Sequence, residues 1–252
     1  MPIERGSAAA SRRIDAMQRR RLTAALALAA ALAPLAPACA QVVEPRIHAP
    51  GPFDTLVVTG AGQVRLFQGE RDEIVIPGER RLQDNVGVQH AGTTLTIALP
   101  RDPKLLGALA QVEVHVGHLT RLTLADASSV SAPMSFKSDL LAIRVTGTGQ
   151  AQFDRLEVGQ LAVDLAGAAE GRLAGKVDKL QLTAAGSSRF VADHLRARRI
   201  DMSVSGSAGA DVWPVNEVEL RVADSGRVRY WGLPRVKPVI TGQGSIATMG
   251  AR

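Results

Sequence analysis

Two tryptophans, Trp213 and Trp231, lie 18 residues apart, and each is followed at once by a residue suited to a turn, Pro214 or Gly232. They are the only indoles in the chain. Exposed aromatic rings held side by side can carry a sugar ring or grip a partner surface. The same pair can instead seal the end of an apolar core. Arg229 and Arg235 flank the tryptophans and could add cation–π contacts. These four residues are the binding candidates.

Other constellations lead less far. In His115-Val-Gly-His118 the imidazoles are three residues apart. On a strand, positions i and i+3 face opposite ways, so these rings would not converge on a metal. His48, His90 and His194 are scattered. Asp164, Asp201 and Asp211 would have to stack on one outer face to serve a polysaccharide lyase or hydrolase, and the register described below does not align them. They read as solvated surface acids. Cys39 is the only cysteine, so no Cys–His pair exists, and no serine sits in a nucleophile-elbow motif. The glycine phrases VTGAGQV (58–64) and VTGTGQA (145–151) lack the lysine of a phosphate-binding loop. No catalytic residue, metal or cofactor is expected.

The glycine phrases instead say how the other residues are positioned. With Gly147 as position zero, equivalent points fall at Asp126 upstream and at Gly167, Gly186, Gly206, Asp224 and Gly242 downstream, at spacings of 18 to 21 residues. A fixed period in this range marks a solenoid. Four residues after zero stand Val130, Ala151, Gly171, Phe190, Ala210, Val228 and Ile246. Six after zero stand Ala132, Phe153, Leu173, Ala192, Val212 and Tyr230, and nine after zero Leu156, Leu195, Val215 and Leu233. Pairs two apart follow: Leu161 and Val163, Leu180 and Leu182, Ile200 and Met202, Leu220 and Val222. Alternation with period two means strands, one face in and one face out. The pattern predicts an all-β, single-stranded parallel β-helix of six to seven coils, two or three short strands per coil. After residue 50 no segment keeps the 3.6-residue apolar spacing of a helix. A composition 46% hydrophobic but only 3% aromatic suits such thin layers of Val, Leu, Ile and Ala. Glycine, or Asp at 126 and 224, fits a corner that needs positive φ. On this register both tryptophans fall at offset seven, outward, on neighbouring coils.

Phe53 to Val116 is less regular. It reads as successive strands with a hairpin turn at His90-Ala-Gly-Thr93 and forms a cap on the first coil. The first forty residues stand outside the fold. From Met17, read as the start, Arg19-Arg20-Arg21 leads an apolar run, Leu22 to Leu35, that ends in Ala38-Cys39-Ala40. This is a secretory signal peptide cleaved after Ala40, too short and alanine-rich for a membrane anchor. Leu35-Ala-Pro-Ala-Cys39 is a degraded lipobox that would instead acylate Cys39; the small-x-small site matches better. Residues 41–52 are then a linker and 53–252 the solenoid. Residues 1–40 hold six arginines and two acids, so only +2 of the full chain's +6 charge stays with the mature protein. A net charge this small gives no reason to expect a nucleic-acid partner. A mature chain without cysteine draws its stability from continuous burial, not from disulfides.

FDTLVVTGAGQVRLFQG (53–69), the turns VTGTGQA, AAGSSRF and VSGSAGA, and the closing ADSGRVRYWGLP (223–234) before VITGQGSI resemble the GIN domain family, the auto-transporter adhesin head domain. The resemblance covers Phe53 to Thr248. It implies an exported envelope β-solenoid without enzymatic activity and carries over no catalytic residue. The chain departs from the pattern where Asp126, Asp224, Ala168 and Ala169 replace turn glycines. The resulting expectation is an exported, non-enzymatic module of the periplasm or cell surface that binds an envelope glycan or a surface protein. An envelope scaffold or stress-sensing module is the alternative, and a polysaccharide-active enzyme the least supported.

Overall fold

The computed structural model describes residues 44–78, 80–101 and 111–251. The leader, with Ala40 and Cys39, lies outside the described residues. The chain opens with β1 (Arg46–His48), β2 (Thr55–Thr59), β3 (Ala61–Gln68) and β4 (Glu73–Ile76). Helix α1 (Arg80–Asn85), β5 (Gly87–Ala91), β6 (Thr94–Ala98), β7 (Gln111–Val116) and β8 (Arg121–Leu124) follow. Five long strands form the body: β9 (Ala127–Val145), β10 (Gln150–Leu165), β11 (Glu170–Ala184), β12 (Arg189–Val204) and β13 (Gly209–Val222). Three short ones close it: β14 (Arg227–Tyr230), β15 (Arg235–Ile240) and β16 (Ser245–Thr248).

The long strands pair in parallel, each with the next, so the fold is the expected β-solenoid. Each coil is one long bent strand and one tight corner, where two or three short strands were expected. In β10 the buried positions are 151 and 153, then 156 and 158, then 161, 163 and 165. The alternation slips twice, and each slip is a bend, so the coil has three sides. The third corner is the glycine position. Asp126, Gly147, Gly167, Gly186, Gly206, Asp224 and Gly242 all have φ between 56° and 82°. A Cβ on Gly147 would sit 2.5 Å from the Asp126 carbonyl oxygen of the coil before it. The corner therefore needs glycine twice over, for its φ and for the close approach of the neighbouring backbone.

The interior files follow the repeat. Position four runs unbroken through Val130, Ala151, Gly171, Phe190, Ala210, Val228 and Ile246 as neighbours on successive coils. Gly171 makes room for Phe190, since a Cβ there would lie 3.1 Å from the ring. Position six pairs Ala132, Phe153 and Leu173, then Ala192, Val212 and Tyr230, with a register step after Arg172. Phe136 and Phe153 meet edge to face at 5.6 Å and are fully buried.

Three details depart from the sequence reading. Leu156 and Leu195 are buried, but Val215 is 37% exposed and Leu233 87% exposed. The coil after Gly206 has 18 residues in place of 20, and Asp193, His194 and Leu195 have no counterpart between Val212 and Trp213. Counting by offset then lands on a corner, not on an interior position. The same shortening sets Val218 opposite Ile200 and Leu220 opposite Met202, one inward step from the expected pairing. Finally, Arg80–Asn85 is helical. One and a half turns are too short to write a 3.6-residue period.

The N-terminal segment is built as a cap, and part of it is solenoid. The β5–β6 hairpin turns where expected, with Ala91 opposite Thr94. Yet β2 lies between β6 and β8, and β3 lies between β7 and β9, all in parallel. The coil written first, β2–β3, is thus threaded between the β6–β7 coil and the β8–β9 coil. Val58 stands opposite Leu124, Val64 opposite Val130, and the Gly60 amide donates to the Asp126 carboxylate at 3.1 Å. The glycine phrase at 58–64 recurs because it is the next corner up the same stack, 66 residues away in sequence.

Candidate functional site

The second side of each coil, between the two bends, carries an open groove that spans several coils. Its outward file is Lys137, Glu157, Lys176, Arg196 and Trp213, each the strand neighbour of the next. Beside it, around the second bend, run Asp139, Gly159, Asp178, Arg198 and Asn216. Together with His118 and Val215 these residues, Trp213 excepted, line a groove of about 840 Å³. Backbone geometry builds it. Val158 and Val177 turn inward and are buried, so the floor is closed and the walls are the polar residues on either side. At its upper end Gln68 of β3 grips Lys137, donating from Nε2 to the carbonyl at 2.8 Å and accepting from the amide at Oε1 at 2.7 Å.

Charge in the groove is unevenly compensated. Glu157 holds Lys137 at 3.0 Å, and Asp178 holds Arg198 at 3.3 Å. Lys176 has no ion pair among the described residues. Arg196 has no carboxylate partner there either; its guanidinium lies 5.4 Å over the Trp213 ring.

Of the four binding candidates, Trp213 and Trp231 stand on adjacent coils at the same corner. Val212 and Tyr230 are strand partners, and the Trp231 amide donates to the Val212 carbonyl at 3.1 Å. Both indoles are half-buried. Trp213 leans onto the backbone of Gly232, where a Cβ would lie 3.6 Å from its Cδ1 and Nε1. Arg229 lies on the first side and grips Asp211 through two bonds of 2.6 Å. That carboxylate holds the Arg229 guanidinium above its usual pKa, first through the hydrogen bonds and then through its charge. Arg235 lies on the third side, opposite Glu217. The structure thus brings the two tryptophans together and distributes the two arginines to different sides.

The aspartates also separate. Asp164 faces Arg144 and Thr183, Asp201 is bonded to Arg221 at 2.7 Å, and Asp211 is bound to Arg229. Asp211 is 8% exposed, so it is not the solvated acid expected from sequence; the bidentate guanidinium is what allows its burial. His115 stacks on Phe67 at 5.2 Å, while His118 borders the groove beyond the end of β7.

Lys176 and Arg196 were not singled out from sequence. Measured from the corner residue, Lys137, Glu157, Lys176, Arg196 and Trp213 fall at offsets 11, 10, 9, 10 and 7. The bend between the first and second sides absorbs these differences as register shifts, so a fixed offset cannot align them. A file read separately for each side of the coil would have.

The model of the family described as "Putative auto-transporter adhesin, head GIN domain" matches residues 52–234. The chain belongs to this GIN-domain family. No curated protein matches it. A crystal structure of a putative adhesin from Bacteroides fragilis has the same fold, with a TM-score of 0.75 at 19% identity over 82% of this chain and 96% of that one. A putative adhesin from Parabacteroides distasonis superimposes with a TM-score of 0.66 at 17% identity, again over 82% and 96%. A putative lipid binding protein from the same species does so with a TM-score of 0.65 at 19% identity over the same shares. At these identities the likeness is one of fold. Among the described residues of the GIN-domain chain, no helix is long and apolar enough to cross a membrane.

Proposed function

We propose that this GIN-domain protein is an exported, non-enzymatic, adhesin-like module. It holds an envelope glycan or a surface protein against the side of its solenoid, at the periplasmic or outer face of the cell. The observation that carries the reading is the multi-coil groove on the second side, whose Arg196 is the strand neighbour of Trp213 at the tryptophan corner. Family membership supports the adhesin-like part and the location. The treatment of the outer acids supports the non-enzymatic part. Asp211, Asp201, Asp178 and Glu157 are each engaged by a cation on an adjacent coil. A glycosidase would instead aim two carboxyls, one of them kept protonated, at a shared point.

The test is retention of envelope fractions on the immobilised protein, wild type against Trp213→Ala and Trp231→Ala. The wild type is expected to retain a glycan or protein component, and the Trp213 variant to retain less of it through the freed Arg196. Equal retention by all three proteins would remove the tryptophan corner from the site. No retention by the wild type would remove the binding reading itself.

A second reading, an envelope scaffold, has one observation in its favour. The last coil, β15 and β16, leaves Val239 and Ile240 exposed and its outer strand edges unpaired among the described residues.

A further inference from the structure

The groove is not uniform along its length, and the difference points to a ligand class. At the end nearer β9 the charge without an ion pair among the described residues is the Asp139 carboxylate, since Lys137 is taken by Glu157. Toward β13 the charges without an ion pair among the described residues are cationic: Lys176 and Arg196, direct neighbours on adjacent coils. Arg198 stands next to them, paired with Asp178 at 3.3 Å. Trp213 holds the Arg196 guanidinium from one side, so this cation is set in place without losing its charge to a carboxylate. Two adjacent cations without a carboxylate partner among the described residues, one of them held in place by Trp213, are a receptor for anionic groups.

The spacing narrows the class further. Successive coils are about 4.8 Å apart, as in any sheet. The groove crosses the coils of Lys137, Glu157, Lys176, Arg196 and Val215, and so is roughly 19 Å long by the same spacing. A linear chain of sugars repeats at a similar distance and presents hydroxyls throughout, which suits walls of Ser138, Asn216 and ion-paired side chains. An extended peptide fits less well. It would add to a free strand edge or drop side chains into apolar pockets. Here the groove-lining strands β10, β11 and β12 are paired on both edges, and the valines of the floor point inward.

The geometry points to a linear, carboxylate-bearing glycan as the ligand of this groove. Its acid groups pair with Lys176 and Arg196, and Trp213 acts as the positioning residue for Arg196. The inference rests on the binding reading above and gives it a substrate class. Calorimetric titration of the full chain with tetragalacturonate, maltotetraose and tetraglutamate separates the two. Tetragalacturonate is expected to bind in a salt-sensitive manner. Lys176→Gln and Arg196→Gln are each expected to weaken it about tenfold, the loss of one charge-assisted hydrogen bond, with unchanged melting curves. Trp213→Ala should weaken it less, and Trp213→Phe should restore part of the loss. Equal binding of maltotetraose, or binding indifferent to both cation variants, would overturn the acidic-glycan inference and leave a glycan-binding module. Preference for tetraglutamate would replace the glycan with an acidic peptide. Binding of none of the three, with envelope retention intact, would overturn the inference alone; loss of envelope retention as well would overturn the reading beneath it.

Discussion

The two ends of the solenoid are finished differently. At the β1 end, antiparallel strands close the stack: β1 lies on β4, β4 on β7, and β5 on β6. Beneath them Ile74, Ile76, Leu95, Ile97 and Leu119 are fully buried. At the β16 end the inward positions are still occupied by apolar residues, but no further coil among the described residues covers them. Ile240 is 48% exposed, while Val236 and Ile246 are half-buried. Each coil is half of a core and is completed by its neighbour, so burial is a property of position in the stack and not of residue type alone. Pro238 fits this open edge. The Thr241 amide donates to the Val222 carbonyl, so alternate amides of β15 face inward along the sheet and position 238 faces outward. A proline there gives up no ladder bond and denies one to any strand that would add to the edge.

The largest contrast is expected from one charge placed at two depths. Leu195→Asp puts a carboxylate among fully buried side chains of the middle coils and should cost on the order of 4 kcal/mol or more, enough to unfold several coils together. Ile240→Asp should leave the thermal midpoint nearly unchanged. Circular dichroism melting of both variants decides the matter, and equal losses would mean that the last coil is covered in solution. A smaller contrast lies in the corners. Gly147→Ala forces a Cβ to 2.5 Å from a carbonyl oxygen at φ 79°, whereas Gly242→Ala meets Asp224 at 3.1 Å at φ 80°. The strained φ is common to both, so the closer backbone should make the first variant worse by about 1–2 kcal/mol, read as the denaturant midpoint.

The smallest effect concerns acid. Glu217 is held below its ordinary value of 4.5, first by its hydrogen bond to Lys237 and then by that residue's charge. A depressed carboxyl stabilises the fold above its unfolded pKa, and the contribution fades as pH drops through the folded value. Lys237 also binds Glu219, at 3.0 Å, so the pair ties β15 to β13. Glu217→Gln should therefore lower the melting temperature slightly at pH 7, and wild type and variant should converge as the pH falls below the folded value of Glu217. A difference that persisted in acid would assign the effect to packing.

Much of this was legible in one dimension. The corners at 126, 147, 167, 186, 206, 224 and 242 could be read because a positive φ admits so few residues. The file from Val130 to Ile246 could be read because it lies a constant four residues beyond each corner, before any bend intervenes. Past the first bend the reading decays. Coils differ by up to three residues, the bend takes up the difference, and Val215 and Leu233 were misplaced for that reason. The groove suffered likewise, because Lys176 and Arg196 share no offset. The tryptophan corner was found because its two coils are equal in length.

By itself, the sequence determined the local unit: which residues turn, which alternate inward, and that about twenty of them close one coil. These depend on φ preferences and on the period of a strand, both local properties. The order of stacking was decided only in three dimensions. Nothing in the spacing says that β2–β3 is threaded between β6–β7 and β8–β9, because that choice is made by which strand edges and apolar faces are left to be covered once the chain has turned back. The electrostatic state of the groove was decided there too. Whether a cation is neutralised depends on its neighbour across the rung, some twenty residues away, and not on its neighbours along the chain.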